Sequence, residues 1–244
     1  MSGSNDTFLR RAGQLAGQLA ERATPDAADW LRAQLAAGAA GRNAFLTAFS
    51  SAGRRLGTAA VDLDGSAAGL TASESFALSG RGLDELGRIA LLVAELGRIP
   101  GEQPGRAALV RELFDHGSVR EKQAVLRALA LLANLPAPAA EVGWLEELIA
   151  IGVDACRSSV QGVFDAIACE NLFPAERFSE AEFNQLVLKA LFIATPCARI
   201  AGLDRRIGPE LIRMVQGYAS ERRAAGRAVP ADIELITGPA RSAQ

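Results

Sequence analysis

Apolar side chains recur at three-and-four spacing through almost the whole chain, and that rhythm leaves few folds open. "LRRAGQLAGQLA", "WLRAQLAAG", "LDELGRIALLVAELG", "AVLRALALLANL" and "ELIRMVQGYA" each lay a stripe along one side of a helix. No stretch alternates for long with β-branched residues between turn signals, so strands have little support. The chain is therefore predicted to be all-α. Helix starts agree with this. Ser118 with Glu121 and Ser179 with Glu182 have the capping-box spacing, in which two side chains satisfy amides that a first turn leaves unpaired. Pro25, Pro138 and Pro209 stand where a first helical residue needs no amide hydrogen. Gly97, Pro136 and the stretch "AAGRAVP" mark stops.

From Pro104 onward the pattern predicts helix pairs: 104–115 with 119–134, 141–156 with 159–170, and 180–194 with 209–224. The pairs begin roughly 37 to 39 residues apart, near the period of two-helix repeats. This fits stacked antiparallel helix pairs, either a HEAT-like α-solenoid or an irregular helical bundle. The predicted organisation is an N-terminal helical segment (1–60), a loop or linker (61–80), a C-terminal helical domain (81–237) and a disordered tail (238–244). Small and polar residues in "VDLDGSAAGLTASES" carry the linker reading. Asp62 and Asp64 within it lack the run of oxygen ligands and the closing glutamate of a calcium loop.

Charge is informative through its balance. Among 244 residues, 26 are basic and 28 acidic, a net charge of −2. No chain-wide positive field points to nucleic acid or to an anionic membrane. The first 22 residues hold no continuous apolar run that would serve as a signal peptide or membrane span, so a cytoplasmic protein is expected. Cys156, Cys169 and Cys197 are odd in number and scattered, which suits a reducing compartment and buried apolar roles. They and the sole histidine, His116, lack the short spacing of a zinc site. His116 itself ends "RELFDHG", where a cation favours the carbonyl end of a helix and the glycine is placed for a left-handed cap. Phosphate-binding glycine loops, paired CxxC motifs, HExxH and a nucleophile-elbow serine are missing, so the sequence assigns no metal, no cofactor and no catalytic residue.

Residues 164–227 nevertheless hold more polar groups than their apolar framing needs. Lys189 lies inside "FNQLVLKALFIA" among Leu186, Val187, Leu188, Ala190, Leu191, Phe192 and Ile193. Glu182, Gln185 and Lys189 share one stripe, readable either as a solvated face or as a lysine snorkelling along apolar neighbours toward a pocket. Farther on, Arg205 and Arg206 precede the helix start "GPELI", whose free amides attract anions, and guanidinium groups grip carboxylate or phosphate at two points. The alternative for these arginines is internal pairing with Asp204, Glu210, Glu221 or Glu170.

"VFDAIACENLFPAERF", "FNQLVLKALFIATPCARIAGLDRR" and "PELIRMVQGYASERRAAGRAVP" together resemble the EboA-domain family. The resemblance is densest over 160–230, and its pattern runs through Asn171, Asn184, Lys189, Gly202, Asp204, Arg206, Pro209, Tyr218, Glu221 and Arg222. Phe183 stands where the family usually has tryptophan or a similar large residue, and Gly208 where an asparagine often caps the last long helix, a position glycine fills less well. The resemblance implies a role in making or exporting a small metabolite and brings no catalytic assignment. Together with the local reading it gives a candidate set: Asn184, Lys189, Asp204, Arg205, Arg206 and Glu221. These residues either bind an anion or form a buried polar network that locks the last helices together.

Two functions fit. One is a non-catalytic adaptor or accessory protein that holds other proteins of the same pathway, with Leu15, Leu19, Trp30 and Leu35 as a candidate face for a partner or a homodimer. The other is an enzyme or carrier for a phosphorylated or carboxylated small molecule, with Lys189 and the arginines as counter-charges and Glu170, Asp204 or Glu221 as acid or base.

Overall fold

The computed structural model describes residues 3–36, 41–100, 105–137 and 142–238. Its first helices are α1 (Gly3–Ala20), α2 (Pro25–Ala36) and α3 (Arg42–Leu56), followed by strand β1 (Ala60–Val61) and α4 (Ala72–Leu78). Strand β2 (Arg81–Gly82) pairs antiparallel with β1 and leads into α5 (Leu83–Arg98). Next come α6 (Arg106–His116), α7 (Val119–Leu132), α8 (Trp144–Cys156), α9 (Gln161–Ala168) and α10 (Phe173–Arg177). The last are α11 (Glu180–Phe192), α12 (Leu203–Arg206), α13 (Pro209–Ala224) and α14 (Ile233–Thr237). The all-α class is as the periodicity requires, and no helix among the described residues is long and apolar enough to cross a membrane. Two compact units, Met1–Gly152 and Val153–Gln244, divide the chain within α8.

The first unit is organised around α5. Helices α1, α2, α3 and α7 pack on it, and 13 of its 16 residues are buried. A helix buried on nearly every side lies in the middle of its unit, and its buried charges, Asp84 and Arg88, pair with each other. Gly97, which the sequence offers as a stop, lies inside this helix: a Cβ there would come 2.9 Å from the Cβ of Phe8, so the glycine permits α1 to cross closely, and α5 runs on to Arg98. Leu15 and Leu19, part of the candidate partner-facing surface, are 0% and 1% exposed in this core. His116 does end α6, but Gly117 after it is extended (φ −68°) rather than left-handed, and its N–H returns to the Leu113 carbonyl. Between β1 and β2, the Asp64 carboxylate accepts the amides of Ser66 and Ala67, closing a turn, and Thr71 with Glu74 forms a capping box on α4.

In the second unit α11 buries Phe183, Leu186, Val187, Ala190 and Leu191, and α13 presents Leu211, Val215 and Ala219 at four-residue spacing. The two helices pack together, each large side chain contributing about 1.5–3 kcal/mol of transfer free energy. Helix α10 packs on α9 and α12, and α13 on α14. Both predicted capping boxes form, at Ser118–Glu121 and Ser179–Glu182, and Pro25 and Pro209 open α2 and α13 as expected. The helix start at Pro104, Pro138, the first residue of the 141–156 helix and the tail 239–244 lie outside the described residues.

Candidate functional site

The stripe Glu182, Gln185 and Lys189 on α11 forms one wall of a cavity of about 600 Å³. Ala181 completes that wall, and Phe178, from the bend between α10 and α11, adds an aromatic edge. Opposite them are Val153 and Cys156 at the end of α8, with Arg157 just beyond. The stripe therefore serves both sequence readings, being partly solvated and lining a pocket. Lys189 is half-buried. Its Nζ donates to the carbonyls of Cys156 (2.5 Å) and Ser158 (2.6 Å) and sits 5.1 Å from the centre of the Phe164 ring. A cation here closes the carbonyl end of α8, where orphan acceptors and the negative end of the helix dipole favour it. Burial lowers the Lys189 pKa, with Cys156 acting in the opposite sense. Burial also pushes the Cys156 thiol up to about 12, against the nearby Lys189 and Arg157 charges, so this cysteine stays protonated and apolar.

Arg206 does a similar job at the next helix end. Its Nη1 donates to the Ala175 carbonyl (2.6 Å), its Nη2 to those of Phe178 (2.9 Å) and Ser179 (3.1 Å), and its guanidinium stacks 4.8 Å from the Phe183 ring centre. It thereby fixes the backbone of Phe178, the residue that edges the cavity. Gly202 makes this approach feasible: it is left-handed (φ 74°), and a Cβ there would lie 2.7 Å from that of Ala175.

The structure does not gather the whole candidate set. Of the six residues, only Lys189 lines the cavity. Arg205 and Glu221 are exposed. Asp204 is exposed as well and borders a smaller hollow of about 220 Å³ with Cys197, Leu203 and Leu235. Asn184 is 1% exposed on the inner side of α11, and neither atom of its amide finds a hydrogen-bond partner. A group buried in this way costs about 1–3 kcal/mol.

Sequence reasoning missed a second polar knot. Arg199 grips Glu170 at two points (2.8 and 3.0 Å) and reaches Asp165 at 3.5 Å, while Gln161 donates to Asp165 (2.8 Å) and Thr195 (2.7 Å). The Glu170 amide donates in return to the Arg199 carbonyl, at a residue held left-handed (φ 45°). The Glu170 hydrogen bonds, ahead of every other influence, hold the Arg199 pKa above its ordinary value. Glu170 is thus committed as a structural counter-ion, one of the internal partners the sequence offered for the arginines. Arg213 takes another, Glu210, at 2.6 Å. Missed too was Cys156 as a wall residue, because its place depends on α8 and α11 meeting, which no local spacing encodes.

A family model described as "Metabolite traffic protein EboA" matches residues 12–237, well beyond the 160–230 stretch that carries the sequence resemblance. No curated protein and no solved structure matches the chain.

Proposed function

The chain belongs to the EboA family, and from that premise we propose that it is a non-catalytic, cytoplasmic accessory protein of small-metabolite biosynthesis or export, which holds its metabolite in the cavity beside α11. One observation carries the reading: a cavity of about 600 Å³, within the roughly 300–1,000 Å³ typical of small-molecule sites, whose reactive-looking groups are already engaged. Lys189 is bound to two carbonyls, the Cys156 thiol is held protonated, and Glu182 accepts the N–H and hydroxyl of Ser179 in its capping box. Such a wall orients and shelters a molecule; it does not supply an activated nucleophile or base. The phosphorylated-ligand version draws no support from Arg205 or Arg206, neither of which lines this cavity.

A second reading, an adaptor for a partner protein of the same pathway, is favoured by Phe192, 73% exposed three residues beyond Lys189 on α11. Native mass spectrometry of the protein recovered gently from its own cells separates the two. The holding function predicts added mass on the order of a few hundred daltons, the size such a cavity accommodates, lost when Ala181→Trp fills the wall. A bare chain, or a second polypeptide as the sole addition, would count against it.

A further inference from the structure

Resting on the holding function above, we infer the chemical class of the molecule held: a largely apolar compound of one or two rings that presents a carbonyl-type oxygen, in a ketone, amide or carboxylate, to the free N–H of Lys189.

The wall gives the apolar part. Val153, Phe178, Ala181 and the Cys156 thiol line the space beside Arg157, Glu182, Gln185 and Lys189, and burying apolar surface against the first four is the main source of affinity. The polar end follows from counting donors. A lysine ammonium has three N–H groups, and the carbonyls of Cys156 and Ser158 take two. One donor remains on this lining residue, its ammonium held in place by the other two bonds and by the Phe164 ring. An oriented donor loses little entropy on meeting its acceptor.

Charge then selects among acceptors. Lys189 and Arg157 are the cations of the lining and Glu182 its anion, but Arg157 is already paired with Asp154 at 2.9 Å. One positive charge therefore balances one negative charge in the wall. A neutral carbonyl is matched to that field, and a single carboxylate adds one negative charge that the Lys189 ammonium meets directly. A phosphate monoester, carrying about −1.5 to −2 at pH 7, would meet one shared ammonium, the Glu182 carboxylate and a single guanidinium, Arg157, that is exposed and already gives its Nη1 to Asp154. Arg206 cannot substitute, because its two terminal nitrogens hold the carbonyls of Ala175, Phe178 and Ser179.

The test is a titration of the full chain, by calorimetry, with 2-acetylnaphthalene, 2-naphthoate, 2-naphthyl phosphate and unsubstituted naphthalene. The two carbonyl compounds are expected to bind, and to bind at least about ten-fold more tightly than naphthalene or the phosphate, the worth of one charge-assisted hydrogen bond. Lys189→Met is expected to erase that preference. Because Lys189 also closes α8, Ala181→Trp is the companion variant: it fills the cavity from an exposed position and should abolish binding without lowering the unfolding midpoint. Preferential binding of the phosphate ester or of naphthalene, sensitive to Ala181→Trp, would overturn the ligand class and leave the holding function standing. Binding of none of the four, or binding indifferent to Ala181→Trp, would overturn both.

Discussion

In the Met1–Gly152 unit Arg88, its side chain 5% exposed, meets the Asp84 carboxylate at 2.8 Å, and Arg120 reaches the same carboxylate at 3.0 Å. In the Val153–Gln244 unit Lys189 and Arg206 meet no carboxylate; both give their protons to backbone carbonyls at helix ends. The first arrangement neutralises charge at a carboxylate whose side chain is 1% exposed. The second leaves the charge whole and uses it to close short helices. Arg106 shows that the first unit uses carbonyls too, donating to Leu96 and Ile99 at the end of α5, but there the arginine is fully buried and shares the Asn5 side chain. In the second unit such a cation, Lys189, stands beside a cavity with a donor to spare. Lys189, bound to two carbonyls, keeps one N–H for a ligand, whereas both terminal nitrogens of Arg206 are taken.

The sharpest way to break the contrast is Asp84→Ala. It strands Arg88 in the core and should cost about 3–5 kcal/mol in urea denaturation; a loss under 1 kcal/mol would mean the pair is solvated. Alkaline titration probes the second unit next. Burial pushes the Cys197 thiol, like that of Cys156, up to about 12 from a starting value of 9.0. Both are raised in the fold, so their stabilisation is complete below pH 9 and is lost as pH rises from 9 toward 12, by about 1.4 kcal/mol per pH unit for each thiol. Cys197→Ala should flatten the slope of stability against pH in that window.

Arg206→Ala should cost about 1–3 kcal/mol and Lys189→Met about 1–2 kcal/mol, the range for hydrogen bonds made by charged groups. Arg206→Lys should recover little, since one ammonium cannot span three carbonyls and stack on Phe183. Asn184→Leu should raise stability by about 1 kcal/mol, because it removes a buried amide with no partner; a fall in stability would reveal a partner for that amide. Smallest of all, Glu210→Ala on the exposed Arg213 pair should leave the denaturation midpoint where it is.

What the sequence made legible was local. Ser179 and Glu182 lie three residues apart, and the box they form can be read from two letters; so could the Thr71–Glu74 box on α4, which sits inside a stretch whose small residues read as a linker. The helical stripe holding Lys189 was visible for the same reason. Its partners were not: the carbonyls it caps belong to Cys156 and Ser158, more than 30 residues earlier, and backbone oxygens leave no signature in side-chain identity. Arg206 raises the same difficulty, since its three acceptors are main-chain atoms of residues 175–179. Carboxylates were the expected answer to these cations; Glu170 and Glu210 do pair with arginines, but with Arg199 and Arg213 rather than with Arg205 or Arg206.

The most direct test is a crystal structure of the chain with 2-naphthoate. The account predicts the naphthalene rings against Phe178 and Ala181, one carboxylate oxygen about 2.7–2.9 Å from Lys189 Nζ, and that nitrogen still bonded to the carbonyls of Cys156 and Ser158. A ligand bound elsewhere, or a lysine that must leave those carbonyls to meet it, would contradict the account.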